Sequence, residues 1–258
     1  MTFVDTHTHL FLDSFQNDID TVIKRALEAG VSTMLLPNID SSSIPPMFEM
    51  VRAYPDICYP MMGLHPTSVK ENYNQELDIV EKFLFDEKHS FVAVGEIGID
   101  LYWDTTFFTE QKEAFIAQIK WAKQLDLPVV IHARDSFQEI FDVLQKEHLH
   151  DVKGVFHSFT GTTKEAAKIL EWGFKIGIGG VLTFKNSGLD KVVKEIPLSE
   201  IVLETDAPFL APVPKRGKRN ESAYLVYIAR KLAEIHQVTP QEVSRITSAT
   251  SLELFNLQ

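Results

Sequence analysis

FVDTHTHL, residues 3–10, is the stretch on which the fold turns. A short apolar run leads into His-Thr-His, not into the glycine-rich phosphate loop that usually follows the first strand of an open doubly wound sheet. Side chains alternate along a strand, so Asp5, His7 and His9 share one face. At the C-terminal end of a strand in a (β/α)8 barrel, that face is the interior of the catalytic mouth.

Outward from this stretch the chain alternates. Short apolar, β-branched runs recur at FVDTH (3–7), TMLLP (33–37), CYPMMGL (58–64), FVAVGE (91–96), PVVIH (128–132), GVFHS (154–158), FKIGI (174–178) and IVLET (201–205). Segments of helical periodicity lie between them. DIDTVIKRALEAG (18–30) repeats apolar residues at Ile19, Val22, Ile23, Ala26 and Leu27 and stops at Gly30. Residues 107–126, 162–173 and 222–236 read likewise. A last helix over 239–255 has Thr239 as its cap, Pro240 at its first position and Glu242 to complete a capping box. Eight strands, each followed by a helix, predict an α/β protein: a (β/α)8 TIM barrel with an extra C-terminal helix. No linker, repeat or charge block divides residues 1–258, so a single domain is expected.

Composition narrows the function classes. Apolar residues make up 45% and charged residues 24% of the 258, ordinary for a globular protein. The N-terminus lacks a signal peptide's basic and apolar regions, and no window has the roughly 20 apolar residues of a membrane span. The expectation is a cytoplasmic protein with no membrane partner. The lone cysteine, Cys58, sits in an apolar run and reads as a small buried hydrophobe, not a nucleophile. A net charge of −11 argues against coating duplex DNA. It leaves room for a nucleic-acid enzyme, because bound cations and a local basic loop can dominate one pocket. PKRGKR, residues 214–219, is such a loop.

Potential metal ligands stand at the other strand ends: Glu96, His132, His157 and Asp206 join His7 and His9. A lone strand histidine is more often a hydrogen-bonded core residue. Four imidazoles and two carboxylates converging on one mouth reverse that balance, because uncompensated buried carboxylates are costly. Six ligands exceed one tetrahedral site and suit two metals bridged by a carboxylate, here Glu96. His7, His9 and Asp206 then hold one metal, and His132 and His157 the other. Asp5 and Glu204 share the inward face and can orient the imidazoles.

With these motifs in order, the chain resembles the TatD-family metal-dependent deoxyribonucleases, within the amidohydrolase-like barrels. The resemblance spans the chain through VDTHTHL, GLHP (63–66), VGEIGIDLYWD (94–104), PVVIHARD (128–135), FHSFTG (156–161), GIGGVLTFKN (177–186), LETDAP (203–208) and RGKRN (216–220). It implies DNA phosphodiester hydrolysis, with 3′-to-5′ removal of nucleotides from single-stranded or frayed ends as the leading mode. It also implies two divalent ions, with Mg2+ or Mn2+ supporting activity. Four imidazoles favour softer ions such as Zn2+, Mn2+ or Fe2+, so bound Zn2+ with turnover on Mg2+ or Mn2+ accommodates both. The resemblance carries over His65 and Arg134 as pocket residues near the substrate phosphate. Two positions depart from the family: Ser222 stands where proline is common, and Leu101 where an aromatic is common, leaving Tyr102 and Trp103 to stack on a base.

The mechanism expected is attack on phosphorus by a metal-activated water. Asp206 takes the proton in preference to Glu96, and Glu204 completes the candidate catalytic carboxylates. His65 and Arg134 stabilise the developing charge. Lys215, Arg216, Lys218 and Arg219 hold flanking phosphates, with Asn220 beside them as a further substrate-binding residue. The competing enzyme reading is a small-molecule amidohydrolase or lactonase. Such barrels often carry a carboxylated lysine on the fourth strand, where this chain has Glu96. A non-enzymatic metal-binding scaffold is the third reading and predicts no turnover.

Overall fold

The structure, a computed structural model, describes residues 1–257. Eight parallel strands form its centre: β1 (Phe3–Asp5), β2 (Val31–Pro37), β3 (Cys58–Met61), β4 (Val94–Asp100), β5 (Val129–Arg134), β6 (Gly154–Phe156), β7 (Lys175–Ile178) and β8 (Ile201–Leu203). Neighbours pair in sequence order as two sheets, β1–β3 and β4–β8. Parallel bridges Met62–Val94 and Thr8–Ala207 join the sheets at both seams. Thr6 N–H donates to Leu203 O at 3.0 Å across the second seam. The architecture is the (β/α)8 TIM barrel.

Nine helices surround the strands: α1 (Ile19–Glu28), α2 (Ile44–Ala53), α3 (Tyr73–Leu84), α4 (Phe108–Leu125), α5 (Phe137–Lys146), α6 (Thr163–Glu171), α7 (Leu189–Val193), α8 (Leu225–His236) and α9 (Pro240–Leu254), counted among the described residues. The inward stripe of α1 is Val22, Ile23 and Ala26, whereas Leu27, expected on that stripe, faces solvent. Thr162 caps α6 with a full reciprocal box. At α9 the forward half of the expected box forms, Thr239 Oγ1 accepting from Glu242 N–H at 3.2 Å. Residues 222–224 make a tight turn, so α8 begins at Leu225, three residues later than its periodicity suggests.

Strand 4 is also displaced. It runs from Val94 to Asp100 and not from 91 to 96, so Glu96 lies inside it and Asp100 ends it. Gly98 lets it pair tightly with β5: at φ 149°, a Cβ there would stand 2.0 Å from His132 O.

The barrel interior is layered. Leu35, Met61, Ala93, Val130, Val155 and Val202 form an apolar cluster, closed by Phe255 just beyond α9. Val130, Val155 and Val202 stand two residues before His132, His157 and Glu204. Strand alternation therefore sets those polar groups directly above this apolar floor. The C-terminal helix thereby delivers the plug under the site.

Candidate metal centre

Glu96 is the hub. Its Oε2 lies 3.0 Å from His7 Nε2 and 3.7 Å from His9 Nε2. Its Oε1 lies 2.8 Å from His132 Nδ1, 2.8 Å from His157 Nε2 and 3.2 Å from His65 Nε2. Asp206 Oδ1 joins the first set, 3.5 Å from His9 Nε2 and 3.8 Å from His7 Nε2. The two oxygens of one carboxylate thus face two donor sets. Asp206 sits in the left-handed region at φ 56°, costly for a non-glycine residue though least so for Asp and Asn. Its N–H donates to His7 O at 2.8 Å, which pins it over β1.

The donor set fits divalent cations. His7 Nε2 and His9 Nε2 point at each other 3.2 Å apart, and nitrogens about 2.1 Å from one ion lie roughly 3.0 to 3.4 Å apart. The lone pairs of His7, His9 and Glu96 meet within one ion's reach, as do those of His7, His157 and Asp206. His65, Glu96 and His132 also converge, but there His65 presents an N–H and not a lone pair.

Hydrogen bonds assign protons within these sets. Thr67 N–H donates to His65 Nδ1 at 3.1 Å, so the neutral ring carries its proton on Nε2 and acts as a donor there. His132 Nε2 lies 2.8 Å from Asp100 Oδ2, which leaves Nδ1 as its ligating atom in a carboxylate–histidine–metal arrangement. Asp100 was not among the sequence candidates, although Glu96, Gly98 and Asp100 share one strand face. Glu204 Oε1 lies 3.3 Å from His157 Nδ1, an ionic contact outside hydrogen-bond geometry, and accepts from Ser158 N–H. Gly177 makes room for it, since a Cβ there would stand 2.5 Å from Glu204 Oε2. Glu204 is wholly buried behind His157 and positions that ring; it does not reach the cleft as a catalytic carboxylate. The expectation that Asp5 orients an imidazole is also corrected. Its carboxylate accepts from Thr205 N–H at 2.9 Å and Thr205 Oγ1 at 2.6 Å, tying β1 to the end of β8. The Nδ1 atoms of His7 and His9 have no hydrogen-bond partner among the described residues.

The electrostatics follow from burial against charge. Burial alone pushes the Glu96 carboxyl up. His157, His65 and His7, with the hydrogen bond from His132, outweigh it and hold the group well below the usual carboxylate range. Burial likewise opposes charge on His157, but Glu96 and Glu204 raise it well above its ordinary value. His132 is raised against burial by Asp100 and Glu96. Burial lowers His7 and His65 and keeps them neutral. Asp206, opposed by burial, is lowered by His9 and the neighbouring imidazoles.

A sequence profile of the family described as TatD related DNase matches residues 4–256. The chain belongs to the TatD-related DNase family. It is 37% identical over 254 residues to the Bacillus subtilis protein YabD, named an uncharacterized metal-dependent hydrolase, covering 98% of each chain. It is 31% identical over 261 residues to Escherichia coli K12 YcfH, of the same description, covering 100% of this chain and 97% of that one. The solved structure of the E. coli K12 TatD homologue YjjV superposes with a TM-score of 0.92 at 29% identity, covering 99% and 98% of the two chains. Metal-dependent hydrolysis is the activity class of this TatD-family chain.

Around the candidate metal centre opens a cleft of about 670 Å³. His9, His65, Glu96, Asp100, His132, His157 and Asp206 line its base, with Trp103, Arg134, Phe209 and Leu210 among its walls. Arg134 Cζ stacks 3.9 Å from the Tyr102 ring centroid and 5.3 Å from that of Trp103. Three cations of the basic loop lie elsewhere. Lys215, Lys218 and Arg219 line a separate surface groove with Arg25, Glu221 and Tyr224. Arg219 is paired with Asp18 at 2.7 and 2.8 Å, and Arg216 stacks 3.9 Å from the Phe184 ring centroid. Asn220, a candidate substrate residue by sequence, is fully buried. Its amide donates to Thr205 O and Phe209 O, both at 2.7 Å, so it braces the loop after β8 and cannot touch a substrate. Among the described residues no helix is long and apolar enough to cross a membrane.

Proposed function

We propose that this TatD-family chain is a deoxyribonuclease that removes nucleotides from the 3′ ends of single-stranded or frayed DNA, with two divalent ions at Glu96. The observation that carries this reading is the cleft itself. A donor cluster for cations lies at the base of an open trough whose wall pairs a guanidinium with exposed aromatic rings. Phosphodiester chemistry needs cations at the phosphorus, and unpaired bases need π-faces beside it.

His7, His9, Asp206 and Glu96 Oε2 would hold one cation, and His132, His157 and Glu96 Oε1 the other. When bound there, cations would supply Lewis acidity to phosphoryl oxygens and to water. Asp206, ionised and at the cleft surface, accepts the proton released as water attacks phosphorus and the P–O3′ bond breaks, and can return it to the leaving 3′-oxygen. His65 donates through Nε2–H to a phosphoryl oxygen. Arg134 offers two parallel N–H bonds to a neighbouring phosphate while its plane stays on Tyr102. Glu96, with each oxygen assigned to one cation site, would serve as a ligand to both and not as the base.

The test is hydrolysis of a 5′-labelled single-stranded DNA with Mg2+, Mn2+ or Zn2+ returned to metal-stripped protein. A ladder shortening from the 3′ end supports the reading. Cleavage of lactones or cyclic amides in place of DNA would replace it with the small-molecule hydrolase.

A further inference from the structure

Two apolar walls face each other across the cleft. The loop after β4 carries Tyr102, 54% exposed, and Trp103, 67% exposed. The loop after β8 carries Phe209, Leu210 and Val213, all exposed. Of the eight exposed large hydrophobic residues among those described, these two loops hold five. Scattered exposed apolar residues need no explanation, but a concentration at the rim of one cleft marks a binding surface. In a ring of eight strands, β4 and β8 stand half a turn apart, so the walls are opposed.

Both walls are held out in advance. Asp100 Oδ1 accepts the N–H groups of Tyr102 and Trp103, each at 3.0 Å. Asn220 holds Phe209 O, and Phe209 N–H donates to Asp206 O at 2.8 Å. Neither pair of side chains is folded down onto the barrel. Each wall also adjoins one donor set. The Phe209 ring centroid lies 6.1 Å from that of His9, beside the His7–His9–Asp206 set. Trp103 reaches His132 through Asp100.

We infer that Phe209 and Leu210 form a nucleobase subsite opposite Trp103, so that the two bases flanking the scissile phosphate stack on opposite walls while that phosphate lies over Glu96. The inference rests on the nuclease reading and adds which side chains receive the bases: two consecutive nucleotides, unstacked from one another, one on each wall. A base that lies flat on Phe209 cannot remain in a helix. Preference for frayed or single-stranded ends then comes from the walls and not from the metals. Stacking is tolerant of base identity, so no sequence preference is expected.

The experiment compares steady-state hydrolysis of 5′-labelled strands that are intact, or abasic at the last or the next-to-last nucleotide. With the wild-type chain, either abasic position raises KM by about tenfold, the scale of one lost base–aromatic stack. Phe209→Ala raises KM for the intact strand about tenfold, leaves bound metal unchanged, and removes the penalty at one of the two positions. Trp103→Ala removes the penalty at the other. Phe209→Tyr keeps the wild-type KM, which separates stacking from a general disturbance of the loop. A wild-type KM for Phe209→Ala, or abasic penalties that persist undiminished in it, overturns the subsite while leaving the nuclease reading intact. Failure of the wild-type chain to cleave any strand overturns the nuclease reading, and the subsite with it.

Discussion

The Asp100 carboxylate holds the His132 ring, Oδ2 accepting from Nε2 at 2.8 Å. Its other oxygen holds the backbone of the cleft rim. One buried side chain therefore sets both the direction of a candidate ligand and the position of an aromatic wall. Asp100→Ala should lower metal affinity about 10- to 100-fold, the usual effect of removing such a partner, and raise KM for single-stranded DNA. Asp100→Asn should recover the rim more than the ligand, since an amide presents one acceptor oxygen instead of two. Metal titration by calorimetry beside steady-state kinetics checks both.

Glu96 touches every donor set, so its removal differs in kind from loss of a peripheral ligand. Glu96→Ala should abolish hydrolysis and reduce both bound ions, whereas His132→Ala should reduce one. Mass spectrometric metal counting on the purified variants separates these outcomes. Equal stoichiometry in the two variants would contradict a shared carboxylate.

The basic loop has a structural member. Arg219 pairs with Asp18, 201 positions away in sequence, and lowers the Asp18 carboxyl from its usual value. A lowered folded-state value gives stability that is present above the unfolded carboxylate range and lost as pH falls on through the folded-state value. Arg219→Ala should therefore lower Tm at neutral pH, with a deficit that shrinks under acid, and leave KM for DNA unchanged. Thermal scans across pH, set beside kinetics, read both.

Phe255 closes the barrel floor at 2% exposure. Phe255→Ala should destabilise the fold by about 3 to 5 kcal/mol, as large core truncations do. Urea unfolding measures it. The folded fraction should keep its metal affinity, because Phe255 itself is not among the residues that hold or orient the ligands.

Burial pushes the Cys58 thiol from its ordinary 9.0 up to about 12. Native protein should resist thiol-alkylating reagents at pH 8.5 and react at once when unfolded. The raised value also means that stability falls as pH rises above about 9, where the unfolded thiol ionises and the buried one stays protonated. Rapid labelling of the native chain would contradict the burial.

The parts legible in sequence were those governed by local period. His7 and His9 share a face because strands alternate, and Thr162 and Thr239 announce helix starts by their side chains. Strand 4 misled because GIGID is poor in β-formers, yet burial on both sides and the pairing of Gly98 with His132 keep it extended. Asp100 was lost with it, although period-two alternation from Glu96 was the signal that finds it. The partner of Arg219 and the burial of Asn220 depend on contacts between distant segments, which no local pattern encodes. Four cations in six residues therefore read as one binding patch, when tertiary structure sets Lys215, Lys218 and Arg219 in a separate groove and stacks Arg216 on Phe184.

The most direct measurement joins metal occupancy to cleavage in the same samples. Metal-stripped protein is titrated with Mn2+, bound ions per chain are counted, and hydrolysis of a 5′-labelled single strand is followed at each point. The account predicts that cleavage from the 3′ end rises with occupancy, reaches its plateau at two ions per chain, and is absent at every point in Glu96→Ala. A chain that fills with two ions and cuts no DNA, or that cuts DNA when fully stripped, would contradict it.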